Sequence, residues 1–346
     1  MDDHVLFVFS NAYEQGSLFV TEVAMLEFRC RVVVVPSSPF HFDATFHKPD
    51  HFPSADNVWE PGIRWQTMLW QGVPLGLKFE MAGTVNAPKI DVSVWSEDRL
   101  DTQFFEGFWA EVAYRYQWWL DLTEFYQRFQ QDRLLEHLLR RWRGMRPLNH
   151  SSLYEYLMIA IVLQNATVRR SVNMMQALFE TYGTRLAYDG QVLFCFWSPE
   201  EIAQVSEQEL RELKVGYRAK SIKRVTDAFV EDRIDEMIIR QASKDMQRTQ
   251  LLDLYGIGPA SVGYILSDVF HHLDELDYIS PWEQKIYSKL FFDTPVDAPV
   301  STDRLLDFFR DRFGEYRMLA VHYIWEDLFW KRKQTPVEWL EKLIRL

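Results

Sequence analysis

The sequence predicts an α+β fold, with an antiparallel β-sheet domain over residues 1–120 followed by an all-helical domain over residues 121–346. Before residue 120, short runs of β-branched and aromatic residues alternate with groups rich in Gly, Pro, Ser and Asn, as strands and turns do. After residue 120, apolar residues recur at the three- and four-residue spacing of helices that bury one face. A chain of 346 residues is long enough for two such domains. The first helices after residue 120 can pack against the sheet.

Five runs in the N-terminal domain are predicted as strands, because their residues alternate or are β-branched and turn-forming groups separate them. These runs are Phe28–Val35, Phe40–Phe46, Ile63–Trp70, Leu75–Met81 and Ile90–Trp95. We expect them to form an antiparallel sheet that is packed on one face.

The remaining sequence predicts a series of helices. Ser152 is placed to cap one of them, with Glu155 three residues later for a capping box. The predicted helices are Asp101–Tyr116, Leu122–Leu139, residues 153–166, Val168–Tyr182, two short helices opened by Ser198 and Ser206, Lys220–Asp232, Asp245–Tyr255, Pro259–Phe270, Trp282–Phe291, Ser301–Phe313 and Arg317–Trp330.

The composition excludes several classes of protein. With 47% hydrophobic residues, 14 Gly and 14 Pro, the chain is neither disordered nor collagen-like. Two cysteines, Cys30 and Cys195, cannot form a disulfide framework, a four-cysteine zinc site or an iron–sulfur cluster. The apolar run at Val32–Pro36 is too short to cross a membrane, and no signal peptide is recognised. We therefore expect an intracellular protein without a metal or a cofactor.

The charge of the chain is unevenly distributed. The sequence has 38 basic and 50 acidic residues, a net charge of −12, which by itself argues against a nucleic-acid partner. Basic residues nevertheless gather in three groups: six in Arg211–Arg224 against one acid, four in Arg140–Arg146, and the pair Arg169 and Arg170. Each group alone is typical of a solvated face. If the three lie together, they form a small basic strip on an acidic protein.

The most informative motif lies in Leu251–Leu266, LLDLYGIGPASVGYIL. A helix is predicted to end near Tyr255, Gly256-Ile257-Gly258 forms a tight turn, and Pro259 occupies the first position of the next helix. Backbone N–H groups at the start of that second helix are suited to bind one phosphate. An ordinary helical hairpin with a glycine turn is the alternative.

This motif and several other segments resemble the helix-hairpin-helix DNA glycosylase superfamily, in its alkyladenine and 8-oxoguanine branch. The resemblance spans roughly residues 28–330. The segments that carry it are Leu251–Leu266, Leu213–Ile222, Leu157–Gly183, Asp121-Leu122 with Phe125-Tyr126, Arg143–Pro147, Phe313–Arg317 with Ala320 and Tyr323, Phe40–Phe46 and Gly62–Trp65. The resemblance implies that the helical domain is a helix-hairpin-helix glycosylase domain.

The resemblance also implies a catalytic position. In this family an aspartate after the hairpin's second helix stabilises the sugar cation or activates water, in a segment of the type P-V-D. Here the matching segment is Ser280-Pro281-Trp282-Glu283, so Glu283 stands at the aspartate's place. The alternative is that Glu283 only occupies the first turn of a helix, where the dipole favours a carboxylate. Asp274, Glu275 and Asp277 are the fallback acids, otherwise a solvated acidic loop.

Lyase activity is not expected. Family members that cleave the strand carry a lysine in the hairpin, where this sequence has Ala260. Imine formation requires an amine, so the sequence indicates base removal alone.

Further residues receive roles in DNA binding from the same resemblance. Gln164 and Asn165 match the position that fills the gap left by a flipped base, with a polar helix end as the alternative. The residues expected to bind the DNA backbone are Gly256, Ile257, Gly258, Ser261, Arg218 and Lys220, and the candidates for the base pocket are Trp282, Tyr264 and Tyr255.

Together these features predict a monofunctional DNA glycosylase that removes a damaged base, expected to be alkylated, during base excision repair. Its partner would be double-stranded DNA bound by a monomer, in the cytoplasm and at the nucleoid if the source is a prokaryote. A glycosylase for oxidised purines and a non-catalytic DNA- or lesion-binding protein on the same scaffold remain open. A third alternative is that the acidic surface binds a protein partner.

Overall fold

The computed structural model describes residues 23–49 and 54–343. None of the helices in these ranges is both long and apolar enough to cross a membrane. The strands are β1 (Val23–Met25), β2 (Glu27–Val34), β3 (Asn57–Glu60), β4 (Ile63–Trp70), β5 (Val73–Met81), β6 (Ile90–Ser96), β7 (Thr184–Tyr188) and β8 (Gln191–Cys195).

The helices begin within the sheet region and then fill the rest of the chain. They are α1 (Phe42–Phe46), α2 (Thr102–Arg115), α3 (Thr123–Phe129), α4 (Glu136–Arg141), α5 (Leu153–Leu163), α6 (Val168–Tyr182), α7 (Pro199–Ala203), α8 (Glu207–Leu210), α9 (Arg218–Val230), α10 (Glu236–Arg240), α11 (Lys244–Leu252), α12 (Pro259–Asp268), α13 (Pro281–Phe292), α14 (Thr302–Phe313), α15 (Arg317–Gln334) and α16 (Glu338–Glu341). The predicted α+β class, an N-terminal antiparallel sheet followed by helices, is confirmed.

The main sheet has five antiparallel strands in the order β2-β6-β5-β4-β3. Its sequence alternates as expected of a sheet with one buried face, since Leu75, Leu77 and Phe79 are buried while Lys78 and Glu80 are not. Helix α2 covers the buried face with Phe108 and Val112. This domain therefore has a core of its own.

A second sheet links the two parts of the chain. The strands β7 and β8 form a hairpin that pairs with β1 and packs on β4, where the Tyr188 hydroxyl donates to the Gln66 carbonyl at 2.7 Å. The sequence predicts an all-helical domain over this segment, and that prediction is wrong. The signal was present, because Asp189-Gly190 with alternating apolar neighbours is a two-residue hairpin turn, and both residues have positive φ.

Two predicted elements differ from the structure. Phe40–Phe46 was expected to be a strand, but α1 forms there, with the His41 ring accepting the Ala44 N–H at 3.2 Å. A run this short cannot be assigned from alternation alone. The predicted helix Leu122–Leu139 is divided into α3 and α4, because the Asp132 carboxylate accepts the N–H groups of Leu134 and Leu135 and turns the chain.

The helices build two cores rather than one. One core is formed by residues 153–270 and contains the glycine hairpin. The other joins α3 and α4 to α13–α16. The segment that carries Glu283 therefore belongs to a different core from the hairpin, and the two meet along α12 and α13.

Candidate active site and nucleic-acid interface

The glycine hairpin connects α11 to α12 and has the local structure that its sequence predicts. Gly256 has a φ of +81°, and a Cβ there would collide with the Ser221 hydroxyl, so the position requires glycine. Ile257 is buried in the core and its N–H donates to the Leu254 carbonyl at 3.1 Å. Ile257 thus fixes the turn through packing.

The start of α12 is open. Gly258 is the N-cap and provides no side-chain cap, and Pro259 occupies the first turn. The first helical hydrogen bond runs from the Val262 N–H to the Gly258 carbonyl at 3.0 Å, which leaves the N–H groups of Ala260 and Ser261 without a carbonyl in the helix. Such a helix end suits a phosphate.

Two loops converge on the hairpin. The Gln164 amide donates to the Gly256 carbonyl at 2.8 Å, and the Asn165 amide donates to the Tyr217 hydroxyl at 3.3 Å. Gln164 is therefore held against the hairpin, whereas Asn165 is exposed with a φ of +47°. The structure brings both residues beside the predicted backbone-binding turn.

Arg218 was expected to face solvent and bind the DNA backbone, but it is buried. It is 1% exposed, and its guanidinium donates to the Gln164 carbonyl and, at 3.5 Å, to the Val215 carbonyl. The expected phosphate contact does not hold here, because the guanidinium ties the two loops together. The neighbouring Tyr217 is 53% exposed and lies beside Asn165. The number of aromatic residues in the sequence could not predict which of them would be exposed here.

Lys220 and Tyr255 form a second exposed pair at the hairpin. The Lys220 ammonium lies 4.8 Å from the centre of the Tyr255 ring. Both side chains are exposed, which leaves Lys220 available to a phosphate. Tyr255 was a candidate for the base pocket, but it lies on this outer side of the hairpin and not in the cleft described next.

A cleft lies between α12, α13 and the loop that joins them. Its free volume is about 20 Å³, room for about one water molecule. It is lined by Ala260, Gly263, Tyr264, Glu275, Leu276, Asp277, Tyr278, Glu283, Tyr287 and Met318. Of the three pocket candidates only Tyr264 lines it. Trp282 packs edge-on against Trp325 with 5.4 Å between ring centres, and its indole N–H donates to the Leu343 carbonyl at 3.3 Å.

Glu283 is buried in the wall of this cleft and has hydrogen-bond partners on both oxygens. Its Oε2 accepts the Ser280 N–H at 2.9 Å, and the Ser280 hydroxyl accepts the Glu283 N–H at 3.3 Å, which completes a capping box. Its Oε1 accepts the Tyr264 hydroxyl at 2.7 Å and the Tyr287 hydroxyl at 3.4 Å. Glu283 therefore both caps its own helix and lines the cleft, so the two alternatives do not exclude each other.

The two tyrosines remain hydrogen-bond donors. Burial, and next the charge of Glu283, raise the pKa of the Tyr264 hydroxyl well above the usual tyrosine range. The same two causes raise the pKa of the Tyr287 hydroxyl. Both hydroxyls keep their protons at neutral pH and point them at one carboxylate oxygen.

The fallback acids are ion-paired, and Asp277 is also exposed to solvent. Asp277 contacts Arg317 at 3.0 Å through Oδ1 and Arg248 at 3.1 Å through Oδ2. Glu275 is buried and contacts Lys244 and Arg248, each at 2.8 Å. These acids are neutralised by basic neighbours, so Glu283 is the cleft carboxylate that has hydroxyl and backbone donors instead of cations.

The sequence model of the HhH-GPD superfamily of base excision DNA repair proteins matches residues 158–337, which include the hairpin, the cleft and Glu283. The chain belongs to this superfamily.

Its curated relatives are distant. It is 24% identical over 190 residues to the DNA-3-methyladenine glycosylase of Bacillus subtilis (strain 168), covering 51% of this chain and 62% of that protein. It is 24% identical over 199 residues to a probable N-glycosylase/DNA lyase of Methanothermobacter thermautotrophicus, covering 52% of this chain and 63% of that protein. The match thus spans less than two thirds of each relative.

Solved structures show the fold over most of the chain. The 3-methyladenine DNA-glycosylase from Archaeoglobus fulgidus aligns with a TM-score of 0.70 at 16% identity, over 86% of this chain and 99% of its own. The 8-oxoguanine glycosylase/lyase of Clostridium acetobutylicum aligns with a TM-score of 0.65 at 18% identity, over 88% and 99%. The resemblance to the helix-hairpin-helix glycosylases that the sequence motifs indicated is confirmed.

The basic strip of this HhH-GPD protein is smaller than its sequence predicts. Arg170 reaches towards Gly216, so two of the three basic groups meet near the hairpin. Arg146 of the third group is fully buried and donates to four backbone carbonyls, including those of Gln117 and Ser37 at 2.6 Å. Ion pairs engage Arg211 with Glu207 and Lys223 with Asp227. Exposed basic side chains in the two groups that meet include Arg169, Arg170, Lys214, Lys220 and Arg224, and Lys220 among them lies against Tyr255 of the hairpin.

Proposed function

We propose that the protein is a monofunctional DNA glycosylase, with Glu283 as its catalytic carboxylate. The proposal rests on the position of Glu283. This residue is buried in the wall of a cleft that is also lined by Ala260, from the open end of α12. A phosphate bound at Ala260 and Ser261 would bring the DNA backbone beside this cleft. The partner is then double-stranded DNA that contains a damaged base, bound by a monomer.

The carboxylate is suited to stabilise a sugar cation. When the bond from C1′ to the base nitrogen breaks, its electron pair leaves with the base and positive charge develops on the sugar. An ionised carboxylate in a water-poor site stabilises that charge. A carboxylate oxygen can accept two hydrogen bonds, and Oε2 of Glu283 accepts only the Ser280 N–H among described groups. The remaining position on Oε2 can hold the water that adds to C1′ and accept its proton.

The cleft supports hydrolysis without strand cleavage. Ala260 lines it at the position where bifunctional members carry lysine, and no lysine lies among its described lining residues. Since imine chemistry requires an amine, the product should be an intact abasic site.

The cleft also favours a positively charged base. Three tyrosines, Tyr264, Tyr278 and Tyr287, line the cleft together with Glu283. Purines alkylated at a ring nitrogen such as N3 or N7 carry a positive charge that tyrosine rings and a carboxylate attract, whereas oxidised purines such as 8-oxoguanine are neutral. This supports an alkylated base over an oxidised one.

A duplex panel tests the proposal. Duplexes with an alkylated adenine, 8-oxoguanine, hypoxanthine or uracil are incubated with the wild type, Glu283→Gln and Glu209→Gln, and the products are analysed with and without hot alkali. We expect the wild type to release the alkylated base and leave a strand that breaks only in alkali. Glu283→Gln should be slower by about 10²-fold, since it lacks the charge that the transition state requires.

Glu209→Gln is the matched control, because Glu209 completes the same kind of capping box at Ser206 but is exposed and far from the cleft in sequence. It should release the base at the wild-type rate. Equal rates for Glu283→Gln and the wild type would remove Glu283 from the mechanism, and strand breakage without alkali would contradict the monofunctional assignment.

A second candidate function is lesion binding without catalysis. It is favoured by the small free volume of the cleft and by the three hydrogen bonds that already engage Glu283. It predicts preferential binding of one duplex of the panel and no abasic product with any protein variant. Any abasic product that depends on the wild-type protein would exclude it.

A further inference from the structure

The capping box of Glu283 differs from the other capping boxes of the protein. Within the described residues, boxes also form at α5, α7 and α8, with Glu155, Glu201 and Glu209 as their acids. Each of those carboxylates accepts from its own cap residue, as a capping box requires. Glu283 alone among these four also accepts tyrosine hydroxyls. Capping therefore does not explain the tyrosines.

The two tyrosines are not equivalent. Tyr287 lies one turn further along α13, the helix of Glu283 itself, and its hydroxyl is 3.4 Å from Oε1. Tyr264 lies on α12, the helix whose buried residues pack in the other core, and its hydroxyl is 2.7 Å from the same oxygen. Only the Tyr264 bond crosses between the two cores, and it has the distance of a strong hydrogen bond to an ionised acceptor.

Tyr264 also lies directly after the open end of α12. It is four residues after Ala260, so both face the cleft from adjacent turns of one helix. The residues whose N–H groups suit a phosphate, Ala260 and Ser261, are therefore about one helical turn along α12 from Tyr264, whose hydroxyl holds Glu283. A rigid helix fixes the distance between these two features.

We propose that Tyr264 is a positioning residue, which sets the place of Glu283 relative to the DNA backbone bound at α12. This inference rests on the proposed glycosylase function. Oε1 is held by Tyr264, Oε2 is held by the Ser280 N–H, and the free acceptor position of Oε2 is thereby directed into the cleft. Without the hydroxyl, the carboxylate is fixed only by its own helix, and the helix that binds DNA no longer determines its position.

Tyr264→Phe and Tyr287→Phe test this inference as a matched pair. Each variant keeps the aromatic ring and removes one of the two tyrosine hydroxyls that donate to Oε1 of Glu283. We measure the single-turnover rate on the substrate duplex, the Kd for the same duplex, and the thermal midpoint of unfolding. Tyr264→Phe should lower the rate about ten- to a hundredfold while leaving the Kd unchanged, since one hydrogen bond to a charged group is lost and only the chemical step uses it.

Tyr287→Phe should lower the rate clearly less than Tyr264→Phe does, because its longer bond comes from the helix that already carries Glu283. An unchanged Kd and a cooperative thermal transition show that each variant is folded. If folding of Tyr264→Phe is impaired, Tyr264→His, which keeps a ring with a polar donor, takes its place and should retain more activity than Tyr264→Leu.

The outcomes separate this inference from the proposed function. The positioning role is overturned if the wild type excises the base and Tyr264→Phe has the wild-type rate. It is also overturned if both phenylalanine variants lose the same fraction of the rate. Either outcome leaves the glycosylase proposal intact. A loss in Tyr264→Phe that appears only in the Kd also overturns it, because positioning acts on the chemical step. Absence of excision by the wild type overturns both.

Discussion

The starts of α12 and α13 show how similar helix ends can be built for different tasks. Both helices begin with proline, at Pro259 and Pro281. The cap of α12 is Gly258, which leaves the first N–H groups available to an acceptor from outside. The cap of α13 is Ser280, whose backbone N–H donates to the Glu283 carboxylate. That helix end is therefore closed and negatively charged. An open, neutral helix end suits a phosphate, whereas a closed, charged one suits a cationic transition state.

The difference depends on one residue at each cap and on the surroundings of the helix end. Glycine at the α12 cap lets a ligand approach the backbone, while serine at the α13 cap recruits the carboxylate three residues later. Three substitutions alter one helix end at a time.

Gly256→Ala should disrupt the open end most strongly. The new methyl group meets the Ser221 hydroxyl at a residue with a φ of +81°, so the turn must change shape. We expect a loss of about 1–3 kcal/mol in the free energy of unfolding, together with weaker DNA binding. Chemical denaturation and fluorescence anisotropy with a duplex measure the two effects.

Gly190→Ala is its control, because Gly190 has a φ of +76° with no atom within 4 Å of the added methyl group. It shares the backbone strain but lies in the β7–β8 turn. A Gly256→Ala protein that binds DNA as tightly as Gly190→Ala would show that the hairpin does not bind the backbone.

Ser280→Ala tests the closed end. It removes the hydroxyl that accepts the Glu283 N–H, which should cost about 1 kcal/mol of stability and loosen the turn that carries the carboxylate. Ser206→Ala removes the equivalent bond to Glu209 and should cost a similar amount. Excision rates should fall for Ser280→Ala alone, and equal rates for the two variants would separate the cap of α13 from catalysis.

Gly258→Ser should make the open end resemble the closed one. Gly258 has an extended backbone with free space around its Cβ position, so serine fits and can accept the first N–H groups of α12. Stability should rise by a few tenths of a kcal/mol while duplex affinity falls severalfold, since the hydroxyl competes with the phosphate. Gly258→Ala adds a methyl group without an acceptor and should bind DNA like the wild type. Similar affinities for the serine and alanine variants would contradict the competition.

Much of the local structure was predictable from the sequence. Capping residues and glycines give helix ends through bonds within three or four residues, so Ser152, Ser198 and Ser206 predicted helix starts that are confirmed. The hairpin was predictable because Gly256, Ile257 and Gly258 each meet a local backbone or packing requirement. The α1 helix and the division at Asp132 were missed, because short apolar runs are ambiguous and a single side chain can end a helix.

Side-chain roles were less predictable than backbone structure. Arg218 and Lys220 have the same charge two residues apart, yet Arg218 is buried between two loops and Lys220 is exposed at the hairpin. Tyr255 and Tyr264 lie on opposite sides of the same motif, and only Tyr264 lines the cleft. Which side of a loop a residue faces depends on segments that are distant in the chain.

The α+β class, the open cap of α12 and the presence of a carboxylate three residues after Ser280 can be read from the sequence, because these follow from local propensities and from short spacings. What that carboxylate contacts depends on how the helices pack. Tyr264 lies on α12, whose buried residues belong to the core of residues 153–270, and Glu283 lies on α13, whose buried apolar residues belong to the other core, so their hydrogen bond exists because the two helices pack against each other. The net charge of −12 likewise said little about DNA binding, since Arg170 and the basic segment around Gly216 come together only when distant helices fold against each other.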